Sequence, residues 1–263
     1  MTGTDDTRTK QADHHDRGVR RWLWRTALSA AFVTPLLRWM VLLHAVPAEQ
    51  PWRRACPTCA TPIGLGRHAT TGPLAPTARC GTCGTRIGPP PYVVEIATVT
   101  VGASLVIAGL RSWELAAYAW WAAFALVLSV IDIVVHRLPD RLVLACATGF
   151  FLLLAPMAFT GHQDAWLRAV TAGCAFALVL GLAAVLPGTG LGLGDAKFAS
   201  AAGAAAGWVS WFAVVAVAFV SFVALAVLGL VLIAVRRARW SSHLAYGPFL
   251  AGATVVVIVA LAV

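Results

Sequence analysis

Between residue 91 and residue 263, apolar runs follow one another with only short breaks: 91–110, 112–135, 140–160, 165–187, 196–207, 209–235 and 244–263. Lipid leaves two solutions for such runs, a helix or a closed barrel, because every backbone polar group must be bonded internally. The runs lack the period-2 alternation of barrel strands and most have the length of a bilayer crossing, so they predict helices. Composition agrees. Of the 263 residues 59% are hydrophobic and 12% charged, with mean hydropathy +0.78, and a soluble domain carries roughly twice that charged share. The run 196–207 is short and built of Ala, Gly and Ser, which suits close helix packing. An earlier run, Trp22 to Val46, is interrupted by Arg25 and Arg38; it either crosses or lies in the interface, held by Trp22, Trp24 and Trp39. Counting it, the expectation is an all-α polytopic membrane protein of about eight transmembrane helices.

Residues 1–21 are polar and of mixed charge, and they read as a disordered tail. The long polar lead and the arginines in the next run argue against a cleaved signal peptide. From 47 to 90, Pro, Gly, Thr and Arg replace the aliphatics, and the segment carries Cys56-Pro-Thr-Cys59 and Cys80-Gly-Thr-Cys83. Two such pairs can supply four thiolates to a tetrahedral zinc, with Gly81 and Gly84 suiting the tight knuckles. The alternative is two disulfides. Charge decides between them: with the cysteine loop cytoplasmic, the turns on its side carry Arg137, Arg141, Lys197, Arg236, Arg237 and Arg239, and the other side only Arg111 and Arg168. That asymmetry fixes the orientation and places the thiols in a reducing compartment, which favours zinc. A four-cysteine site has no open position, so the metal is structural. The net charge of +9 is spent on membrane orientation and does not indicate nucleic acid.

Beyond the tail the acidic residues are Glu49, Glu95, Glu114, Asp132, Asp140, Asp164 and Asp195. Asp140 follows Pro139 and reads as the first-turn acid of a helix. Asp132 lies inside an apolar run, and Asp195 ends Gly190-Leu-Gly-Leu-Gly194 before Ala196-Lys197. A carboxylate at the edge of hydrocarbon is costly and marks function by default. The structural alternatives are an ion pair of Asp132 with Arg137 or Arg141, and Asp195 as N-cap of a helix after a Gly-rich turn. The topology sets both carboxylates at similar depth on different helices. Brought together in low dielectric they cannot both ionise, so the pair shares a proton, as in aspartic proteases. No Ser–His–Asp set competes: His136 has no suitable serine, and His44, His162 and His243 sit at helix ends. Gly192 and Gly194 would let an extended substrate approach the pair, whereas Gly203→Ala, in the helix beyond, is expected to be nearly silent in catalysis.

These segments resemble the bacterial type IV leader peptidases, the prepilin peptidase family of GxGD membrane aspartic proteases. Gly192-Leu-Gly194-Asp195, extended to Lys197, matches the glycine-rich motif, and Ile131-Asp132 with Leu138-Pro139-Asp140 matches the first catalytic segment. The paired Cys-x-x-Cys, Pro91-Tyr-Val-Val-Glu95 and Ala245-Tyr-Gly-Pro-Phe-Leu250 are similar to further family segments. The resemblance implies Asp132 and Asp195 as catalytic residues, and Gly192, Gly194, Lys197 and Glu95 as substrate-binding ones. It also implies zinc on Cys56, Cys59, Cys80 and Cys83, in a loop at 47–90 ahead of a protease domain at 91–263. The substrate would be a prepilin or pseudopilin, with its basic leader cytoplasmic and its apolar helix in the bacterial inner membrane. The family's Gly-Ser-Phe-Leu-Asn-Val segment is absent from Ala31-Phe-Val-Thr-Pro-Leu-Leu-Arg-Trp-Met40, so N-methylation and S-adenosylmethionine are not carried over. Two other classes fit less: a non-catalytic assembly protein binding pilin helices, and a proton-coupled transporter, which would show repeated halves.

Overall fold

A computed structural model describes residues 32–47, 50–110, 112–186, 191–237 and 244–262. The polar tail, the start of the first run with Trp22, Trp24 and Arg25, and Glu49, Arg111, Gly190, Arg239 and His243 lie outside the described residues. Every long regular element among the described residues is an α-helix: α1 (Phe32–His44), α2 (Val93–Ile107), α3 (Ser112–Val135), α4 (Asp140–Phe159), α5 (Gln163–Val185), α6 (Leu193–Val209), α7 (Trp211–Ala234) and α8 (Gly247–Ala262). Of these, α3, α4, α5 and α7 are long and apolar enough to cross a membrane. Phe212, Val215, Phe219, Val223 and Val227 stay exposed along α7, as a lipid-facing surface requires. This is an all-helical membrane protein.

Breaks fall where local chemistry puts them. His136 takes φ 49° after α3, and Pro139, extended at ψ 123°, pre-sets the start of α4. Gly161 adopts φ 97° between α4 and α5, a conformation that costs glycine nothing. Ser210 caps α7, its side chain accepting from the Ala213 N–H at 3.0 Å.

The shortest predicted run is the centre of the bundle. Helix α6 packs against α3, α4, α5, α7 and α8, and Ala201 to Trp208 are all buried. Small residues let α5 come close: a Cβ at Gly203 would lie 2.8 Å from Phe176 Cβ and 2.9 Å from Ala172 O, and one at Gly207 would lie 2.5 Å from Ala172 Cβ. Gly203→Ala therefore cannot serve as a structurally silent substitution. Its carbonyls are held from outside, by Tyr118 Oη to Ala205 O at 2.8 Å and Trp121 Nε1 to Ala201 O at 3.0 Å. Arg168 donates to the carbonyls of Gly207, Trp208 and Val209 at 2.7, 2.8 and 3.2 Å. That places a cation on the negative end of the helix dipole and fills orphan acceptors.

The cysteine segment folds onto α1. Leu42 of α1 joins Cys56, Leu74, Cys80 and Ile87 in a small separate core flanked by Trp39 and Ile63. Arg38, fully buried, makes a two-pronged ion pair with Glu95 of α2, Nε to Oε1 and Nη2 to Oε2 both at 2.7 Å. Its Nη2 also reaches Pro76 O at 3.2 Å. The charge that made this run look a poor helix is thus the joint between α1, α2 and the cysteine segment.

Candidate active site

Asp132 sits one turn before the end of α3 and is 5% exposed. Neither Arg137 nor Arg141 pairs with it among the described residues. Instead its Oδ2 accepts the backbone N–H of Gly247, the first residue of α8, at 2.9 Å. A carboxylate at a helix N-terminus meets both unsatisfied N–H groups and the positive end of the dipole. A Cβ on Gly247 would come within 2.8 Å of the same oxygen, so a larger residue there would displace the carboxylate or the start of α8.

Helix α6 begins at Leu193, earlier than the run 196–207 implies, and Gly192 is its N-cap. Asp195 therefore lies in the first turn and is not itself the N-cap. The Gly192 N–H donates to its Oδ2 at 3.0 Å, while the Asp195 N–H donates to Gly192 O at 3.0 Å. This reciprocal start is the side-chain half of a capping box. It holds the carboxylate at the mouth of the helix.

The two carboxylates occupy neighbouring helix ends: the α3–α4 turn that follows Asp132 packs on the first turn of α6, where a Cβ on Gly194, the residue before Asp195, would lie 3.3 Å from Leu138 Cβ. Tyr246 is 2% exposed, its Oη 2.8 Å from Ser221 Oγ of α7. The Tyr246-Gly247 junction thus touches Asp132 directly. Each aspartate has one oxygen fixed by a backbone N–H, and Oδ1 of each has no protein donor among the described residues. Tyr246 and Gly247 were not singled out as site residues by the sequence reading; the signal was the Ala245 to Leu250 motif.

The other expected substrate residues are already engaged. Lys197 Nζ donates to Asp140 Oδ1 at 2.8 Å, an exposed pair that clips the start of α6 to the start of α4. Glu95 is taken by Arg38. Gly192 has an ordinary extended backbone, φ −92° and ψ 153°, so no special conformation demands glycine. Gly194 packs inward: a Cβ there would lie 3.3 Å from Leu138 Cβ, so this glycine seats the α3–α4 turn against α6.

The four cysteines form a separate candidate metal centre. Sγ atoms of Cys56, Cys59, Cys80 and Cys83 all lie within 4.8 Å of one another, with Cys56–Cys83 at 3.6 Å and Cys59–Cys80 at 3.7 Å. A tetrahedron with metal–sulfur bonds of about 2.3 Å has edges of about 3.8 Å, whereas a disulfide needs about 2.05 Å. All four are free thiols. The knuckles repeat one geometry: the Ala60 N–H bonds Cys56 O at 3.0 Å and the Gly84 N–H bonds Cys80 O at 2.9 Å, with Ala60 at φ 55° and Gly84 at φ 72°. Backbone N–H groups of Cys83 and Thr82 draw the Cys80 thiol down to about 6, which favours the thiolate a metal takes. The set fits a tetrahedral metal ion.

Residues 119–230 match the type IV leader peptidase family. The matched stretch runs from α3 into α7 and contains both Asp132 and Asp195. The matched stretch is thus similar to a leader-peptidase domain set in apolar helices, and the cysteine segment lies outside the match. No curated protein and no solved structure gives a match.

Proposed function

We propose that this protein is a leader peptidase of the aspartic type that cuts prepilin- or pseudopilin-like precursors at the cytoplasmic face of the bacterial inner membrane. The observation that carries this reading is the convergence of Asp132 and Asp195 from two helices, each fixed by one backbone N–H. One carboxylate takes a proton from water as the water attacks the scissile carbonyl, while the other gives the shared proton to the carbonyl oxygen; as the C–N bond breaks, the first passes its proton to the leaving amine and the second recovers one from the diol. The helix starts at Leu193 and Gly247, beside the two aspartates, support a site at a helix end, where a membrane-embedded precursor would meet its polar leader. Zinc held by Cys56, Cys59, Cys80 and Cys83 would have no open position and would staple the cysteine segment. The proposal includes no N-methylation and no S-adenosylmethionine.

The test is co-expression with candidate precursors, read by intact mass. Asp132→Asn and Asp195→Asn should each abolish cleavage while the protein still accumulates in the membrane. Full processing by either variant would rule out the carboxylate pair. Asp140→Asn, which loses an exposed pair with Lys197 worth about 0–1 kcal/mol, should keep most of the activity. If both aspartate variants bind precursor and wild-type protein never cleaves it, the chain is a non-catalytic assembly protein.

A further inference from the structure

The α3–α4 turn backs onto a cavity that neither carboxylate uses. Its volume is about 430 Å³, and its lining comes from three parts of the chain: His44 at the end of α1, Trp52 at the start of the cysteine segment, and Arg137 to Arg141. Trp52 ties the wall together, its ring 5.2 Å from that of His44 and 5.5 Å from the Arg141 guanidinium. Neither Arg137 nor Arg141 makes an ion pair among the described residues. The one carboxylate in the lining, Asp140, is already held by Lys197 at 2.8 Å. The field in the cavity is therefore positive, and the opening N–H groups of α4 add to it. A basic leader segment is the wrong partner for such a site.

We infer that this cavity seats the phosphate of an anionic phospholipid headgroup, clamped between Arg137 and Arg141. Position selects lipid over a soluble anion. The cavity lies where α1 and α3 end and α4 begins, the level of the headgroup layer, and it carries an exposed tryptophan of the kind that anchors at that level. One turn along α4 from Arg141, Leu144 is 64% exposed, placed for an acyl chain below the headgroup. Basic pockets at helix ends recognise anionic headgroups in this way. A lipid here would bind the cysteine segment to the turn whose Leu138 rests on Gly194, next to Asp195. The inference does not depend on the proposed cleavage.

The full chain, reconstituted in nanodiscs of phosphatidylcholine with or without phosphatidylglycerol, supplies the test, with native mass spectrometry counting retained lipid. Phosphatidylglycerol should be retained and should raise the melting temperature. Arg137→Gln with Arg141→Gln should weaken its retention about tenfold or more. The charge-matched pair Arg67→Gln with Arg86→Gln, outside the cavity, should not. Should the first pair not fold, Trp52→Ala is read in the same assay and is expected to lose retention too. Equal losses from both arginine pairs would reduce the effect to general surface charge and overturn the site. Displacement of phosphatidylglycerol by millimolar inorganic phosphate, or by an acidic peptide, would overturn the lipid assignment.

Discussion

At Gly247 a backbone N–H supplies what a side chain usually supplies, a fixed donor to a buried carboxylate. The Gly247→Ala variant tests how closely the proposed pair must be held. Its Cβ would enter 2.8 Å from Asp132 Oδ2 and 3.4 Å from Asp132 Cγ, so either the carboxylate or the start of α8 must move. A displacement of about an ångström at a reacting group costs on the order of a hundredfold in rate. Cleavage should fall by that order while the protein remains in the membrane. Gly252→Ala, five residues along α8 and facing open space, is the control and should change nothing. Equal rates in both variants would remove Gly247 from the site. The carboxylates were visible in the sequence because a lone acid in hydrocarbon has few reasons to be there. Gly247 was not, because every residue but proline carries an N–H and only the fold decides where it points.

At the scale of elements, α6 shows what sequence patterning conveys and what it loses. Its Ala, Gly and Ser content announced close packing, but the apolar window began at 196 and left the first turn out, hiding Gly192 as the cap and Asp195 as a first-turn residue. The bounds of α3, α4, α5 and α7 were legible almost to the residue, since length, hydropathy and Pro139 are local properties. The role of α1 was not: Arg38 reads as a defect until Glu95, 57 positions away, is beside it. Glycine substitutions separate the two ends of α6. Gly203→Ala should destabilise by about 1–3 kcal/mol through overpacking against α5, seen as a lower melting temperature with unchanged turnover per folded molecule. Gly194→Ala meets Leu138 at 3.3 Å and should lower cleavage modestly, and Gly194→Val more, by pushing the α3–α4 turn off α6. If rate and melting temperature fall in step across the Gly194 series, its glycine only starts a helix.

In the whole molecule the cysteine segment and the helical bundle both pack on one short helix, α1, through Leu42 on one side and Leu37 and Val41 on the other. The metal should be one atom per chain by elemental analysis, and Cys56→Ser or Cys80→Ser should reduce the amount of folded protein before turnover per molecule. The joint between segment and bundle is the Arg38–Glu95 pair. Glu95→Gln keeps the shape but leaves the Arg38 guanidinium buried without a counter-charge, a change that costs about 3–5 kcal/mol when fully buried. Glu95 keeps 20% of its side-chain exposure, so a loss at or below the low end, about 3 kcal/mol, is expected. Replacing both partners tells whether the pair is attraction or only mutual neutralisation. Arg38→Met with Glu95→Gln removes the stranded charge and should recover part of the loss, because burying two charges costs nearly what their attraction returns. The measurement is melting temperature in detergent together with bound metal for the wild type, the single Glu95→Gln variant and the double variant. A double variant more stable than the single one, with metal retained, identifies the pair as a matched charge joint between α1 and α2. A double variant less stable than the single one would show that Arg38 holds the cysteine segment through its bond to Pro76 O, independently of Glu95.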